Sequence, residues 1–399
     1  MKVLVIPSWY PPNGGYFFRE HSQAIAALGV KVDVLACHFR SLKTYNPFRI
    51  ISKETRKSLI VTKEENITEH SGYTWIIPFT EEPNFKTWIR KAWDMYYRYI
   101  QTNGKPDIIQ AHSSLPAGYL AYLIKKRHNI PYVLTEHRSR FIYNSDNAKK
   151  MFRQWHYPII KQALDGCSSL VGVSNALFPK LHEISESARS KSLVIHNMVD
   201  TDFFNITNQH SERYQTKPFR FSTVALLKEV KGIDILLEAF NIIHKSEPGK
   251  YLLNIAGEGV CREKLEKYVL YNKLNKHVNF LGSQTREQVK NLMQNSDAFV
   301  LPSRFEAFGV VFIEAMACGL PVIATKAGGP ETFIPDFAGK LSEVDDIEAL
   351  ANNMKQVADN YESYQAKKIR DYTVANFSKP VVAEKYISLY AEALKKPTN

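Results

Sequence analysis

Cysteine is scarce in this chain, and long hydrophobic runs are missing. The four cysteines, at positions 37, 167, 261 and 318, are far apart and form no CxxC or Cys/His cluster. This spacing argues against a disulfide framework or a zinc site and fits a reducing cytoplasm. No run approaches the roughly 18 apolar residues of a membrane span. Tandem repeats and low-complexity tracts are absent as well, and the N-terminus predicts a first strand rather than a signal peptide.

What the chain does contain is a repeated alternation of apolar strands and helical stretches. At 399 residues it exceeds what one core usually holds, so we expect two domains. Strands are predicted at 2–7, 31–36, 107–112, 131–136, 169–174 and 192–196, and again at 219–225, 251–256, 277–281, 297–302 and 321–325. The helical stretches between several of them imply parallel sheets covered on both faces, which is an α/β fold. We interpret the polar segment from Asp200 to about Pro218 as the linker.

The segment from Ser303 to Pro321 carries the clearest indication of a binding site. It follows the strand predicted at 297–302, and Gly309 opens a stretch that predicts a helix. The intervening loop should lie at the carboxyl end of a parallel strand, where open α/β sheets bind ligands. Glu306 falls in this loop and Glu314 lies about one and a half turns into the helix, so both can face one crevice beside a helix N-terminus. The alternative is a loop carboxylate and an ordinary glutamate on a helix surface.

The net charge of +12 is unevenly distributed along the chain. Residues 1–200 contain 27 lysines and arginines against 16 acidic residues, whereas residues 201–399 contain 25 against 24. Only the N-terminal half therefore favours anionic partners, such as nucleic acid, acidic lipid headgroups or a phosphorylated substrate. The alternative is a basic surface that only aids solubility. A nucleic-acid-binding protein would need stacking or helix-turn-helix features on this half, and the sequence shows neither.

Ten short motifs follow one another along the chain. They are Asn13-Gly-Gly15, Asp107-Ile-Ile-Gln-Ala-His112, Val133-Leu-Thr-Glu-His137, Val173-Ser-Asn-Ala176, His196-Asn-Met-Val-Asp200, Lys231-Gly-Ile-Asp234, Ala256-Gly-Glu-Gly259, Phe280-Leu-Gly282, Glu306 with Glu314, and Gly328-Gly-Pro-Glu331. With these motifs in this order, nearly the whole chain resembles the retaining, nucleotide-sugar-dependent glycosyltransferases of family 4, also called glycosyl transferases group 1. The resemblance implies the GT-B fold, in which two Rossmann-like doubly wound domains face each other across a cleft. It implies an acceptor-binding domain over residues 1–200, on which a C-terminal helix at about 380–399 packs back, and a nucleotide-sugar-binding domain over residues 201–379.

The resemblance assigns donor-binding roles to residues of the C-terminal domain. Glu306 would hydrogen-bond hydroxyls of the donor hexose, helped by backbone N–H groups around Phe308, Gly309 and Val310. Glu314 would hold the ribose hydroxyls of the nucleotide, because an ionised carboxylate accepts two charge-assisted hydrogen bonds.

The same resemblance assigns roles to a lysine and to two residues of the N-terminal domain. Lys231 would neutralise the diphosphate, whose charge grows as the glycosidic bond breaks; an ordinary solvated lysine at a helix start is the alternative. His112 would contact the donor sugar near its anomeric centre, although a histidine at a strand end is otherwise often only a satisfied polar residue. Gly15 would let the backbone approach the diphosphate or acceptor closely, and the donor base is expected near Gln284. The predicted catalytic residues are thus His112, Glu306 and Lys231.

Two positions depart from the pattern of the family. An arginine usually stands five positions before the lysine, but this chain has Leu226 there, which cannot make the bidentate phosphate contact of an arginine. Either Lys228 replaces it, or the helix N-termini and Gly15 carry more of the binding, or the activity is weakened or altered. Met198 replaces a common glycine in the connection between the domains. We interpret His137 as structural.

The resemblance also implies a reaction. A hexosyl unit would pass from a nucleoside-diphosphate sugar to an acceptor hydroxyl with retention of the anomeric configuration, by a front-face route in which the leaving phosphate helps to deprotonate the acceptor. No metal and no cofactor are implied, because lysine, helix ends and backbone donors replace a divalent ion and the sequence has no DxD-type cluster. Another GT-B enzyme, such as a sugar-nucleotide epimerase or a phosphorylase, is the alternative; the epimerase would react without an acceptor.

The helix predicted over residues 85–100 mixes aromatic and basic residues. Trp88, Ala92, Met95 and Tyr99 lie along one stripe, and four basic residues lie elsewhere. Such a mixture suits a membrane interface, but an ordinary amphipathic helix that packs its aromatic residues on a sheet has the same pattern. Together with the basic N-terminal half, it predicts a cytoplasmic enzyme, peripheral at the inner face of the cell membrane. Its acceptor would be a sugar or a lipid-linked sugar of a surface polysaccharide.

Overall fold

The computed structural model describes residues 1–12, 14–41, 59–142, 152–207 and 218–395. These residues fall into two compact units. Unit 1 contains residues 1–173 and 177–196 together with the C-terminal segment from Pro380, and unit 2 contains residues 174–176 and 197–379. The division lies after His196, and the boundary expected from the sequence is residue 200. Each unit is built on its own sheet.

Within its described residues, unit 1 forms an eight-stranded sheet. Its elements are β1 (Lys2–Pro7), α1 (Tyr16–Ala27), β2 (Lys31–Ser41), β3 (Ile60–Glu64), β4 (Ile67–Ile76), α2 (Glu82–Asn103), β5 (Ile108–His112), α3 (Tyr119–His128), β6 (Tyr132–Glu136), α4 (His156–Gly166), β7 (Ser169–Gly172), α5 (Phe178–Ile184) and β8 (Ser192–Val194). The strand order is β3-β4-β2-β1-β5-β6-β7-β8, and every pair is parallel except β3 with β4. The apolar run from Val3 to Ile6 is fully buried, as expected for a central strand of a parallel sheet.

The described part of unit 2 forms a six-stranded, wholly parallel sheet. Its elements are β9 (Phe219–Val224), α6 (Ile233–Ser246), β10 (Tyr251–Ala256), α7 (Arg262–Tyr271), β11 (Val278–Gly282), α8 (Arg286–Gln294), β12 (Ala298–Leu301), α9 (Val310–Ala317), β13 (Val322–Thr325), β14 (Gly339–Ser342), α10 (Ile347–Asp359) and α11 (Ala366–Phe377). The strand order is β11-β10-β9-β12-β13-β14. The predicted fold class of two Rossmann-like α/β domains is therefore confirmed, while the cleft between them stays a prediction.

In both sheets, the order in which strands are added reverses at one central strand. In unit 1, β1 lies between β2 and β5, so the chain first adds strands on one side of β1 and then on the other. In unit 2, β9 lies in the same way between β10 and β12. A switch of this kind leaves a crevice at the carboxyl ends of the two central strands, which is where open α/β sheets bind ligands.

Several elements differ from those expected from the sequence. The hairpin of β3 and β4 and the short strand β14 were not predicted, and β2 continues to Ser41 rather than ending at Ala36. The residues of β3 are partly or largely exposed and include Lys63 and Glu64, so this edge strand lacks the apolar run of a buried one. Asn13, and residues 208–217 of the predicted linker, lie outside the described residues.

Helix α2 packs its aromatic stripe on the sheet of unit 1. Trp88 and Tyr99 are fully buried, together with Ala92 and Met95. The indole Nε1 of Trp88 donates to the carbonyl of Cys37 at 2.9 Å, and the hydroxyl of Tyr99 donates to the carboxylate of Asp33 at 2.8 Å. The stripe therefore belongs to the core, and the alternative of an ordinary amphipathic helix is correct for these four residues.

The last helix, α12 (Lys379–Lys395), joins unit 1 from Pro380 onwards. The hydroxyl of Tyr390 donates to the side-chain oxygen of Gln110 in β5 at 2.9 Å. The hydroxyls of Tyr386 and Thr135 lie 3.2 Å apart. Both tyrosines are buried, so α12 adds aromatic side chains and polar contacts to the core beside β5 and β6.

Candidate functional site

Two oppositely charged side chains meet at the switch point of unit 2. Lys231 lies in the connection that follows β9, and Glu306 lies in the loop after β12. Lys231 Nζ is 2.5 Å from Glu306 Oε2, and the two side chains are only 24% and 13% exposed. The structure thus brings two of the predicted catalytic residues into direct contact, whereas their roles in a reaction stay predictions.

The loop that carries Lys231 and the loop that carries Glu306 are in close backbone contact. Gly232 has φ 64°, and a Cβ there would lie 2.0 Å from the carbonyl oxygen of Pro302. Only glycine tolerates both the left-handed conformation and this contact. The backbone N–H of Arg304 also donates to the carbonyl of Val230 at 2.8 Å. These contacts fix Lys231 beside the loop that carries Glu306.

A partly buried ion pair ties the same loop to helix α6. Arg304 donates two hydrogen bonds to the carboxylate of Asp234, at 3.0 and 2.9 Å, and a third to Asp345 at 2.7 Å. Burial raises the pKa of Asp234, but the hydrogen bonds and the charge of Arg304 outweigh it, so the net pKa lies below the usual value. Because a planar guanidinium binds a carboxylate in one orientation, Asp234 and Arg304 position the loop rather than react.

Helix α9 begins next to Glu306. Gly309 is its N-cap residue, with φ 92°, and Val310 is its first residue. The first N–H groups of a helix have no intrahelical acceptor and suit an anion or a hydroxyl oxygen. The ring of Phe308 is buried, 4.4 Å from that of Phe333, so it belongs to the core. Glu314 lies on the next turn of α9 and is partly exposed.

The remaining candidate positions of unit 2 lie on neighbouring loops. Gln284 follows β11, and its side-chain amide donates to the carbonyl of Leu281 at 2.6 Å. Leu226 follows β9 with 60% of its surface exposed. Lys228 is exposed as well, and its carbonyl accepts from the N–H of Lys231 at 2.9 Å. An exposed leucine at this place shows that the family's arginine position is open to solvent.

In unit 1, His112 ends β5 within a cluster of aromatic rings. It is 1% exposed, and Phe18 stacks on it with 4.5 Å between ring centroids. Its Nδ1 is 3.0 Å from Nε2 of His137. Burial lowers the pKa of His112 well below 6.5, and the charges of His21 and His137 lower it further. His112 is therefore neutral at physiological pH.

Gly15 is the N-cap residue of α1, where φ is 76°. A Cβ at this position would lie 2.8 Å from the carbonyl oxygen of Trp9. The glycine therefore allows a tight turn between β1 and α1 within unit 1. Gly15 and His112 lie in unit 1, whereas the other predicted site residues lie in unit 2.

Two further residues lie next to the aromatic cluster around His112. His137, interpreted from the sequence as structural, contacts His112, and Glu136 is fully buried. The Glu136 carboxylate accepts from the N–H and the hydroxyl of Ser114, both at 2.8 Å. Burial raises its pKa, but the charge of Arg138 and these hydrogen bonds outweigh it, so the pKa is lowered. The sequence did contain a signal for their proximity, because His112 and His137 come at the ends of the adjacent strands β5 and β6.

The described ranges lack two kinds of feature. Residues 1–12, 14–41, 59–142, 152–207 and 218–395 contain no group of three or more His, Cys, Asp or Glu side chains that could hold a metal ion. None of the helices in these ranges is long and apolar enough to cross a membrane. The metal- and cofactor-independent reaction stays a prediction.

Two Rossmann-like units with parallel sheets are the architecture of the GT-B glycosyltransferases. The first half of the chain matches the model of the Glycosyltransferase Family 4 domain over residues 14–203. The second half matches the Glycosyl transferases group 1 domain over residues 205–373. The chain therefore belongs to the family 4 (group 1) glycosyltransferases.

Individual relatives match over almost their whole length. TuaC of Bacillus subtilis, described as a candidate glycosyltransferase of teichuronic acid biosynthesis, is 26% identical over 92% of this chain and 94% of its own. The structure of sucrose-phosphate synthase from Thermosynechococcus elongatus has a TM-score of 0.77 at 21% identity and covers 98% of each chain. Anabaena HepE in complex with UDP has a TM-score of 0.72 at 18% identity, over 98% of this chain and 100% of its own. At these identities the two structures show a shared fold.

Proposed function

We propose that this protein is a retaining, metal-independent hexosyltransferase whose donor is a nucleoside-diphosphate sugar. The observation that carries the proposal is the Lys231–Glu306 pair at the switch point of unit 2, beside the N-terminus of α9. A carboxylate, an ammonium group and unpaired N–H groups together complement a sugar diphosphate. Glu306 accepts from the hydroxyls of the hexose, whereas Lys231 and the backbone N–H groups donate to phosphate oxygens.

The reaction balances without a further reactant. The bond between C1 of the hexose and the β-phosphate oxygen breaks, and a bond forms between C1 and the acceptor oxygen on the same face. The acceptor proton passes to the leaving diphosphate, whose negative charge has grown. Lys231 stabilises this charge in a mostly buried position, where electrostatic interactions are stronger than in water. On this proposal the ion pair seen in the structure opens when the diphosphate reaches Lys231.

Two findings on related proteins support the donor and the pathway. HepE, which shares the fold, is in complex with UDP, and TuaC is described as belonging to teichuronic acid biosynthesis. We infer that the product is a cell-surface polysaccharide and that the enzyme works in the cytoplasm on a sugar or lipid-linked sugar acceptor.

A donor screen tests the proposal. Thermal unfolding is measured with uridine, guanosine and adenosine diphosphate sugars, and release of the diphosphate is then followed with the sugar that stabilises most. We expect one base to raise the unfolding temperature clearly and the product to keep the anomeric configuration of the donor by NMR. Release of an epimerised sugar without any acceptor would favour the epimerase alternative. The lack of any response to all donors would contradict the proposal.

Membrane association is proposed from a groove on unit 1. Helices α2, α3 and α4 enclose a space of about 530 Å³, lined mainly by apolar side chains that include Trp93 and Leu123. Lys86 and Arg90 are exposed and also border the groove, as does Glu82, which pairs with Lys86 at 2.7 Å. An apolar groove with basic residues at its edge complements an anionic lipid, and each cation near such a surface contributes about 1 kcal/mol.

Co-sedimentation with liposomes tests this association. Binding to anionic vesicles should exceed binding to neutral vesicles and should fall at high salt. Lys86→Gln/Arg90→Gln should reduce it, whereas Lys264→Gln/Lys267→Gln on α7 of unit 2 is the control with the same loss of charge. Equal and negligible binding to both kinds of vesicle would favour a soluble acceptor.

A further inference from the structure

A second cavity, which shares Phe85 and Trp155 with the groove, opens at the carboxyl end of the sheet of unit 1. Its volume is about 360 Å³, within the roughly 300–1,000 Å³ of small-molecule sites. Its wall is formed where strands end: Ser8 follows β1, Leu115 follows β5, and Arg138 and Arg140 follow β6. Trp155 adds an aromatic face. The cavity therefore occupies the switch-point position at which this class of sheet binds ligands.

The two arginines line this cavity and are partly buried, and among the residues that the structure describes neither forms an ion pair with a carboxylate. The guanidinium of Arg138 lies 4.7 Å from the ring of Trp9, and that of Arg140 lies 4.9 Å from the ring of Phe152. Nε and Nη2 of Arg140 are buried and have no hydrogen-bond acceptor among the residues that the structure describes. A guanidinium has five N–H donors, and leaving buried donors unsatisfied costs free energy.

Nearby carboxylates are occupied elsewhere. Glu136 accepts from both donor groups of Ser114 and from the backbone N–H groups of His137 and Arg138, at 2.8 to 3.1 Å. Glu81, at the edge of the cavity, forms an ion pair of 2.9 Å with the exposed Arg153. These carboxylates lower the electrostatic cost of the partly buried cations. Among the described residues, they accept no hydrogen bond from Nε or Nη2 of Arg140.

Burial lowers the pKa values of both arginines more than the nearby carboxylates raise them. Burial lowers the pKa of Arg138 to about 9, with a further decrease from Arg140 and an opposing effect of Glu136. Burial also lowers the pKa of Arg140, against the effects of Glu136 and Glu81. His156, which lines the cavity, has a pKa of about 4 because of its burial and of Arg140. It is neutral at pH 7 and leaves the arginines as the cations of the cavity.

We propose that this cavity binds an oxyanion, a phosphate or a carboxylate, on the acceptor of the reaction, through Arg138 and Arg140. The identification of the ligand as the acceptor rests on the proposed function; the binding of an oxyanion does not. Two guanidinium groups offer paired N–H donors to such a group, and the face of Trp155 can pack against a sugar ring. A neutral sugar acceptor would leave both charges uncompensated.

Calorimetry with three small probes tests the proposal. The probes are glucose 1-phosphate, glucuronate and glucose, in a buffer without phosphate. The full chain carries Lys231→Ala, so that phosphate binding beside Glu306 is weakened. We expect at least one charged probe to bind at least about tenfold more tightly than glucose, as charge-assisted hydrogen bonds predict. The charged probe that binds more tightly identifies the group as a phosphate or a carboxylate. Three equal affinities would overturn the proposal.

Variants of the arginines separate the cavity from other anion sites. In the same background, Arg138→Gln/Arg140→Gln should weaken the preferred probe about tenfold or more, and Arg138→Lys/Arg140→Lys should recover part of the affinity. Lys126→Gln/Arg127→Gln, on α3, removes the same charge outside the cavity and is the control. An affinity unchanged by the arginine variants, or lowered equally by the control, would overturn the assignment. Donor-induced thermal shifts, measured with Lys231 intact, report on the proposed function separately.

Discussion

The two units place different charges at the same point of the same architecture. At the switch point of unit 2, cations and carboxylates are paired, Lys231 with Glu306 and Arg304 with Asp234. At the switch point of unit 1, the cavity presents two arginines; the buried carboxylate of Glu136 is bound by backbone N–H groups and a hydroxyl, and Glu81 at the cavity edge pairs with Arg153. The fold therefore decides where a ligand binds, and the loops after the strands decide its charge.

The difference between the two sites agrees with the uneven distribution of charge between the two halves of the chain. Residues 1–200 carry 27 basic against 16 acidic residues, and residues 201–399 carry 25 against 24. A paired site suits a ligand that offers hydroxyls together with phosphates. A site with two arginines suits a ligand with a concentrated negative charge. Substitutions of single residues at either site can therefore test whether the two sites bind ligands of different charge.

The largest effect is expected from Glu306→Ala. Its carboxylate is the part of the pair that would contact the hexose, and its loss should lower the release of diphosphate by about 10²- to 10³-fold, the range of a missing transition-state contact. The loop is held by Arg304 and by backbone contacts, so the unfolding temperature should change little. Glu263→Gln, which breaks the exposed pair with Lys267 on α7, is the control. Near wild-type turnover would exclude Glu306 from catalysis.

Lys231→Ala should mainly affect donor affinity. A charge-assisted hydrogen bond in a partly buried site contributes roughly 1.5–3 kcal/mol, so the Kd of the donor should rise about 10- to 100-fold. The variant also leaves Glu306 without its partner, which adds repulsion toward the diphosphate. Calorimetry measures the change, with Lys267→Ala as the matched surface control. An unchanged Kd would show that Lys231 is a bystander.

Most strands of both sheets could be predicted closely because burial on two faces requires continuous apolar runs. β3 could not, since an exposed edge strand has no such run, and the buried positions of β4 include the polar residues Glu69 and His70. The pair of Lys231 and Glu306 spans 75 positions, and no local spacing brings such residues together. The strand–loop–helix pattern pointed to Glu306, and the resemblance to a family added Lys231. Arg138 and Arg140 were not singled out, because their environment depends on the packing of loops from several strands.

Unit 1 is also distinguished by buried, neutral histidines, and His21→Phe tests them. His21 is 6% exposed, packs edge-on against His112 and Tyr386, and has a pKa of about 3 because of its burial and of His137. Below the unfolded value of about 6.5 the unfolded chain binds a proton that the folded chain excludes, so stability falls as the pH decreases.

The phenylalanine variant should lose less stability in acid. Between pH 7.5 and 5.5, the decrease in the free energy of unfolding should be smaller than in the wild type by about 1.4 kcal/mol, the value of one pH unit for one group. Neither ring nitrogen of His21 has a hydrogen-bond partner among the described residues, so the substitution removes no such bond. Urea unfolding at the two pH values measures the difference. An equal decrease in the free energy of unfolding for the wild type and the variant would contradict a buried, neutral His21.

The smallest effect is expected at Leu226, where the family usually has an arginine. Because the side chain is 60% exposed, Leu226→Arg requires no rearrangement of the core, and the new guanidinium can reach for the phosphates of a bound donor. A partly solvated contact of this kind contributes about 0.5–1.5 kcal/mol, so donor affinity should increase about two- to tenfold. The gain should shrink at high salt, and Leu226→Met, which changes shape without charge, should show none. Unchanged calorimetric affinity of the arginine variant would mean that this chain binds the diphosphate differently from the family pattern. Lys228, which opens the turn before Lys231, would then be the next residue to replace.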